Sequence, residues 1–257
     1  MPLRETLKAD VAVHCVLLFV AAYAINGSLH EGAHALTAYA LRVPSTLYHF
    51  YADIALSQAT EQQRALISVA GPLFSIIFGT AFLLAYRKNQ RSPFQLLFLY
   101  LATFGVSIFL GNLVSISFVG DFSRAAALLH LPMPARYAIT TLAASLLAVF
   151  MFFIGRELRG WASPSTRMTA VIKAVVLPVA LGTLLVVLVY LPMPARFAAA
   201  TISSSSFWIF AALGTFLAPP TYDAEVRRFT PIWTDLAITV GAVILVRLLV
   251  PGFRFVP

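Results

Sequence analysis

About seven apolar runs, each near the length of a bilayer crossing, divide this chain, and only short polar stretches separate them. They lie at about 11–41, 65–86, 94–119, 135–154, 170–190, 195–217 and 232–250. A spanning helix needs about 20 mainly apolar residues. The two longest intervals, about 42–64 and 155–169, are too short for a folded soluble module. The chain therefore reads as all-α, a polytopic transmembrane bundle of about six or seven spans. Composition agrees: 60% of residues are hydrophobic and 11% charged, where soluble domains carry roughly 25% charged residues.

The first run is longer than one crossing, so it is either one tilted helix or a span with an interfacial extension. It continues into polar residues without a small-x-small cleavage site, so it reads as a span and not as a signal peptide. The sixth run is the weakest, because "TISSSSF" is polar for a span. The net charge of +8 does not point to nucleic acid. Its basic residues sit in short groups between apolar runs, such as Arg87-Lys88-Arg91 and Arg227-Arg228, and read as topology-setting charge facing the lipid bilayer. Cys15 is the only cysteine, which excludes an internal disulfide and a cysteine metal cluster.

Against that apolar background stands "NGSLHEGAHALTAYALRVP", Asn26 to Pro44, with an H-E-x-x-H pattern at His30-Glu31-Gly32-Ala33-His34. Residues four apart share one face of a helix, so His30 and His34 can aim imidazole nitrogens at one zinc ion. Glu31 lies about 100° round from His30, within reach of a zinc-activated water as general base. Composition alone would produce this pattern in fewer than about one such sequence in a hundred.

A catalytic zinc usually takes three protein ligands. His14 is four turns earlier in the same helix and too far away. The best third candidate is Asp121, which follows the third run directly. Alternate runs cross in the same direction, so the ends of runs one and three and the start of run two emerge at one membrane face. His30, His34, Asp121 and the "SVAGPLFSIIFG" segment then share a level. The competing reading of Asp121 is an acid at the start of a helix over "FSRAAALL".

These pieces, in this order, resemble the site-2 protease family of intramembrane zinc metalloproteases. The likeness covers His30 to Leu36, Gly71-Pro72-Leu73-Phe74-Ser75, and Asn112-Leu113 through Asp121. It implies a catalytic membrane core of three spans over residues 1–130. Residues 131–257 are further transmembrane helices of the same membrane domain, without a named counterpart. It implies one zinc ion per chain held by His30, His34 and Asp121, with Glu31 as base. Asn112 would stand near the substrate or oxyanion, and Gly71 and Pro72 would shape a close contact beside the site. The implied substrate is a transmembrane protein segment.

The sequence departs from the family pattern in places. Ser75 stands where the family has asparagine. Ala33 precedes the second histidine, with Gly32 one place early. The acid falls one residue late, in Gly120-Asp121-Phe122, and Ser115 and Ser117 replace prolines. The family's catalytic residues face the cytosol, whereas Lys and Arg number about 11 on the N-terminal side and about 7 on the motif side.

Smaller features complete the reading. "LPMPARYA" (131–138) and "LPMPARFA" (191–198) form an internal repeat, either two similar helix openings or a duplicated gate. Asp235 and Lys173 are expected at the interface and Arg247 snorkelling outward. The serines at 203–206 point to close helix packing rather than a polar groove. The function that best fits is zinc-dependent proteolysis within or beside the membrane. An inactive relative that binds metal or partner helices, or an ion transporter, are the alternatives.

Overall fold

A computed structural model gives the architecture and describes residues 10–162, 165–219 and 229–256. Arg227 and Arg228 lie outside these residues. Helix α1, Val11–Ala40, is unbroken over 30 residues. At 1.5 Å per residue it is about 45 Å long and outruns the hydrocarbon layer. The Asp10 carboxylate accepts from the Ala12 N–H at its start. The Lys173 ammonium donates to the same carboxylate at 2.5 Å, and this bond holds Asp10 below the usual range.

A hairpin of β1, Ser45–Leu47, and β2, Ala52–Ile54, follows, and then a 3-10 turn at Leu56–Gln58. Helix α2, Glu61–Lys88, opens with a capping box between Thr60 and Gln63. Helix α3, Gln95–Val114, runs into a 3-10 turn at Ser115–Ser117. Short α4, Asp121–Leu128, precedes α5, Met133–Trp161. Helix α6, Arg167–Val171, passes through a π turn at Ile172–Val176 into α7, Leu177–Val189. Pro178 sits just past the π turn and has no N–H to give the preceding turn, which favours such a bulge. Helix α8, Ala195–Ser204, and α9, Trp208–Leu217, are joined by a 3-10 turn at Ser205–Phe207. Helix α10, Ile232–Leu248, leads to β3, Phe253–Phe255.

Among the described residues, six helical stretches are long and apolar enough to cross a membrane. The chain is a multi-pass α-helical membrane protein. The last apolar run, α10, has only 17 residues. It runs parallel to α1: His14 meets Asp235 near the two helix starts, and β1 pairs with β3 beyond the two helix ends. The small sheet, in the order β2-β1-β3, was not expected. Three-residue strands are too short to show an alternating pattern. The expected 155–169 loop is shorter than the sequence suggested, because α5 continues to Trp161.

Small residues set the closest helix contacts. A Cβ on Gly79 would lie 2.7 Å from the Val106 nitrogen, and one on Gly105 would lie 2.8 Å from the Ser75 carbonyl oxygen. Helices α2 and α3 therefore touch backbone to backbone. Gly155 and Gly214 do the same for α5 and α9, meeting the Ala211 and Phe152 carbonyls. Between these pairs Phe19 stacks edge-on to Phe104 at 4.8 Å and packs on Trp208 at 5.5 Å.

Asp235 is buried in the first turn of α10. Its carboxylate takes His14 Nδ1 at 2.5 Å and the Thr230 hydroxyl. A carboxylate in an apolar helix persists when it is paired, and here the imidazole comes from 221 positions away. Arg247 is exposed, and its guanidinium donates to the Val189 and Leu191 carbonyls at the end of α7. Asp235→Ala should lower stability by about 1–3 kcal/mol by orphaning His14 and Thr230, read as an earlier denaturant midpoint in detergent, with Asp235→Asn falling between.

Candidate metal centre

His30 and His34 stand one turn apart on α1, rings nearly perpendicular at 84° and 4.8 Å between centroids. Their Nε2 atoms are 3.2 Å apart. Asp121, the first residue of α4, brings Oδ2 to 3.2 Å from His30 Nε2 and 3.3 Å from His34 Nε2. Neighbouring ligands around a tetrahedral ion with bonds of about 2.0 Å lie about 3.3 Å apart. The three atoms thus have the spacing of one face of a zinc tetrahedron, and the three residues lie close enough to hold a metal ion.

The outer nitrogens fix where the imidazole protons sit. His34 Nδ1 is 2.6 Å from the Ile67 carbonyl, which can only accept. Ser75 donates its hydroxyl hydrogen to the Gly71 carbonyl at 3.0 Å, so its oxygen accepts from His30 Nδ1, also at 3.0 Å. With both Nδ1 atoms protonated, each neutral ring turns a bare Nε2 lone pair toward the Asp121 carboxylate. Such a cluster needs positive charge at its centre, from a metal ion or from added protons. Burial alone would raise the Asp121 carboxyl; where the two imidazoles take up those added protons, their Nε2–H groups donate to it and hold it well below the usual range. Nδ1 donation to a carbonyl or hydroxyl is the outer support that metal-binding histidines ordinarily have.

Helix α2 supplies that support because Gly71 has no side chain. A Cβ there would lie 2.8 Å from His30 Cε1 and Nε2 and would run into His34 Nε2. Pro72 and Ser75 are buried beside it. On the other side, Asn112 Oδ1 accepts from the Asp121 N–H at 3.4 Å. Gly120 holds φ at +112°, a conformation that suits glycine, and turns the chain so that α4 begins at Asp121. Gly120 takes the N-cap position, which leaves the Asp121 carboxylate aimed at the imidazoles. The geometry favours the ligand reading of Asp121. Asn112 thereby acquires a supporting role in addition to lining the cavity described next.

A cavity of about 660 Å³ opens on this cluster and is lined by His30, Glu31, Asn112, Tyr190 and Trp208 among others. The Glu31 Oε2 accepts from the Ala52 N–H of β2 at 2.8 Å. Ser203, Ser204 and Ser205 line the same cavity. The serine run therefore faces a groove, contrary to the close packing expected of it. Three contributors had no signal in the sequence. The Ile67 carbonyl and the Ala52 N–H are backbone groups. Tyr190 lies more than 150 positions from the motif. His49 donates Nε2 to the Tyr190 carbonyl at 2.9 Å, away from the cluster, and His130 is exposed.

No protein-family model, curated protein or solved structure matches the chain. Its functional reading rests on this geometry.

Gly71→Ala should lower metal affinity about 10–100-fold by displacing the two rings, although it removes no ligand. Gly32→Ala, with open space around its Cβ, should leave metal content unchanged. Metal analysis of the purified proteins against His34→Ala separates these outcomes.

Proposed function

We propose that the chain is an intramembrane zinc-dependent peptidase that cuts a membrane-spanning or membrane-proximal peptide segment, as its likeness to the site-2 proteases implies. The observation that carries this reading is a three-residue ligand cluster whose His30 lines one cavity together with the neighbouring carboxylate of Glu31. The donor set, two imidazoles and a carboxylate, is one that catalytic zinc uses.

Zinc held by His30, His34 and Asp121 would supply Lewis acidity toward a peptide carbonyl and would make water more acidic. The chain's own residues do the rest. Glu31 takes a proton from the attacking water and returns it to the leaving amine nitrogen. The Ala52 N–H fixes its Oε2, so Oε1 is the atom left to carry that proton. Ile67 and Ser75 keep the imidazoles turned. Phe19, Phe104 and Trp208 give the cavity an apolar wall suited to a segment drawn from lipid. A helical substrate hides its carbonyls, so the segment must unwind before it is cut. The cavity volume is within the range of pockets that enclose small ligands, enough for a few residues of extended chain.

One observation favours a second reading, a metal-binding protein that does not cleave: Glu31 is already engaged by the Ala52 N–H. Glu31→Gln separates the two. The variant should keep about one zinc per chain, while cleavage of a single-span substrate in proteoliposomes falls about 10²–10⁴-fold. Cleavage at the original rate would remove Glu31 from the mechanism.

A further inference from the structure

Tyr190 is 5% exposed, and its hydroxyl has no hydrogen-bond partner among the described residues. It lines the cavity shared with His30, Glu31 and Asn112. The phenol oxygen lies against Gly27, where a Cβ would approach it to 2.9 Å. The Ser28 hydroxyl interacts with it electrostatically, but the two fall short of hydrogen-bond geometry. Its ring is held on two sides: Tyr23 packs edge-on at 5.9 Å, and the His49 ring lies 6.1 Å away. Its backbone is held by His49 Nε2 on its own carbonyl and by Arg247 on the two flanking carbonyls. A buried donor fixed this firmly, and left unpaired, is placed for a ligand that enters the cavity.

The second copy of the internal repeat delivers this residue. Tyr190 directly precedes Leu191-Pro192-Met193-Pro194, and Met193 and Phe197 line the cavity with it. The matching residues of the first copy, Met133 and Tyr137, are 41% and 51% exposed. The repeat is therefore not a duplicated gate, since only the second elbow faces the site.

We propose that the Tyr190 phenol donates a hydrogen bond to a substrate main-chain carbonyl two residues from the bond that is cut. This rests on the peptidase reading above. Gly27 precedes Glu31 by one helical turn, about 6 Å along α1. An extended peptide advances about 3.3 Å per residue, and groups two residues apart point to the same side. A chain with its scissile carbonyl beside Glu31 thus presents the carbonyl two residues along at the level of Gly27 and Tyr190. The donor holds the strand in register and selects an unwound segment, because a helical carbonyl would already be occupied.

The test uses full-length protein in proteoliposomes and two synthetic single-span peptides, each an oligo-leucine span with a central Asn-Gly-Pro break. One has all amides. The other carries an ester in place of the amide two residues from the mapped cut, on the side that gives the larger effect, which weakens that carbonyl as an acceptor. Wild type should cleave the ester peptide about tenfold more slowly, the effect of one neutral hydrogen bond. Tyr190→Phe should cleave the all-amide peptide about tenfold more slowly, mainly through KM, with unchanged zinc content. It should be indifferent to the ester. Wild-type rates in Tyr190→Phe overturn the proposal. So does a slowed variant that still senses the ester, because that loss would be structural. If wild type and Glu31→Gln cut equally, or neither cuts, the peptidase reading itself fails and this one with it.

Discussion

Three hydrogen-bond acceptors cannot share a few ångströms of apolar interior without positive charge among them. His30 Nε2, His34 Nε2 and Asp121 Oδ2 are held in that arrangement, and much of the surrounding structure serves to hold them. Each outer imidazole nitrogen is committed to a partner on α2, so neither ring can flip to relieve the crowding. Helix α2 comes that near because Gly71 offers only hydrogen toward the rings. A side chain at this one position would separate the helices and release both histidines.

The same dependence reaches the end of the chain. Glu31 is oriented by the N–H of Ala52 in β2. Strand β2 is paired to β1, and β1 is paired on its other edge to β3, after α10. Helix α10 is pinned to α1 at its far end by His14 and Asp235. Residues beyond 131 thus brace the carboxylate from the sheet side. They also wall the cavity through Thr183, Tyr190, Ser203, Ser204, Ser205 and Trp208. The H-E-x-x-H motif occupies one helix, while the space it faces is walled by residues from Phe19 to Trp208.

What the sequence disclosed, and what it concealed, follows from the range of each signal. The spans were legible because a bilayer demands about twenty apolar residues in a row, a local property. The pairing of His30 with His34 was legible because helical periodicity is local too. Asp121 was reachable by parity, since alternate spans end at one face, and by the resemblance of the run from Asn112. The burial and pairing of Asp235 were not legible, because its partner His14 sits at the other end of the chain. The serine run was misjudged because a small polar residue suits close packing and groove lining equally well, and only the neighbours decide. The Ile67 carbonyl and the Ala52 N–H could not be found, because every residue has those groups.

The chain's differences from the site-2 protease pattern can be weighed in atoms and not in positions. The histidines require one carboxylate oxygen about 3.3 Å from each Nε2, wherever the chain supplies it. Here the 3-10 turn at Ser115–Ser117 is fastened by the Ser115 hydroxyl to the Asn112 carbonyl at 3.1 Å and by the Ser117 hydroxyl to Thr140 at 3.0 Å. Gly120 then reverses the chain at positive φ, and a side chain there would press on Ser115 Oγ and Asn112 Oδ1. These hydroxyl contacts hold the turn, and the positive φ of Gly120 sets the direction in which Asp121 starts α4. Ser75 works the same way: orienting His30 needs one acceptor at Nδ1, and a hydroxyl tied to the Gly71 carbonyl provides it. An acid at 121 and a serine at 75 therefore suffice to bring the three ligand atoms together.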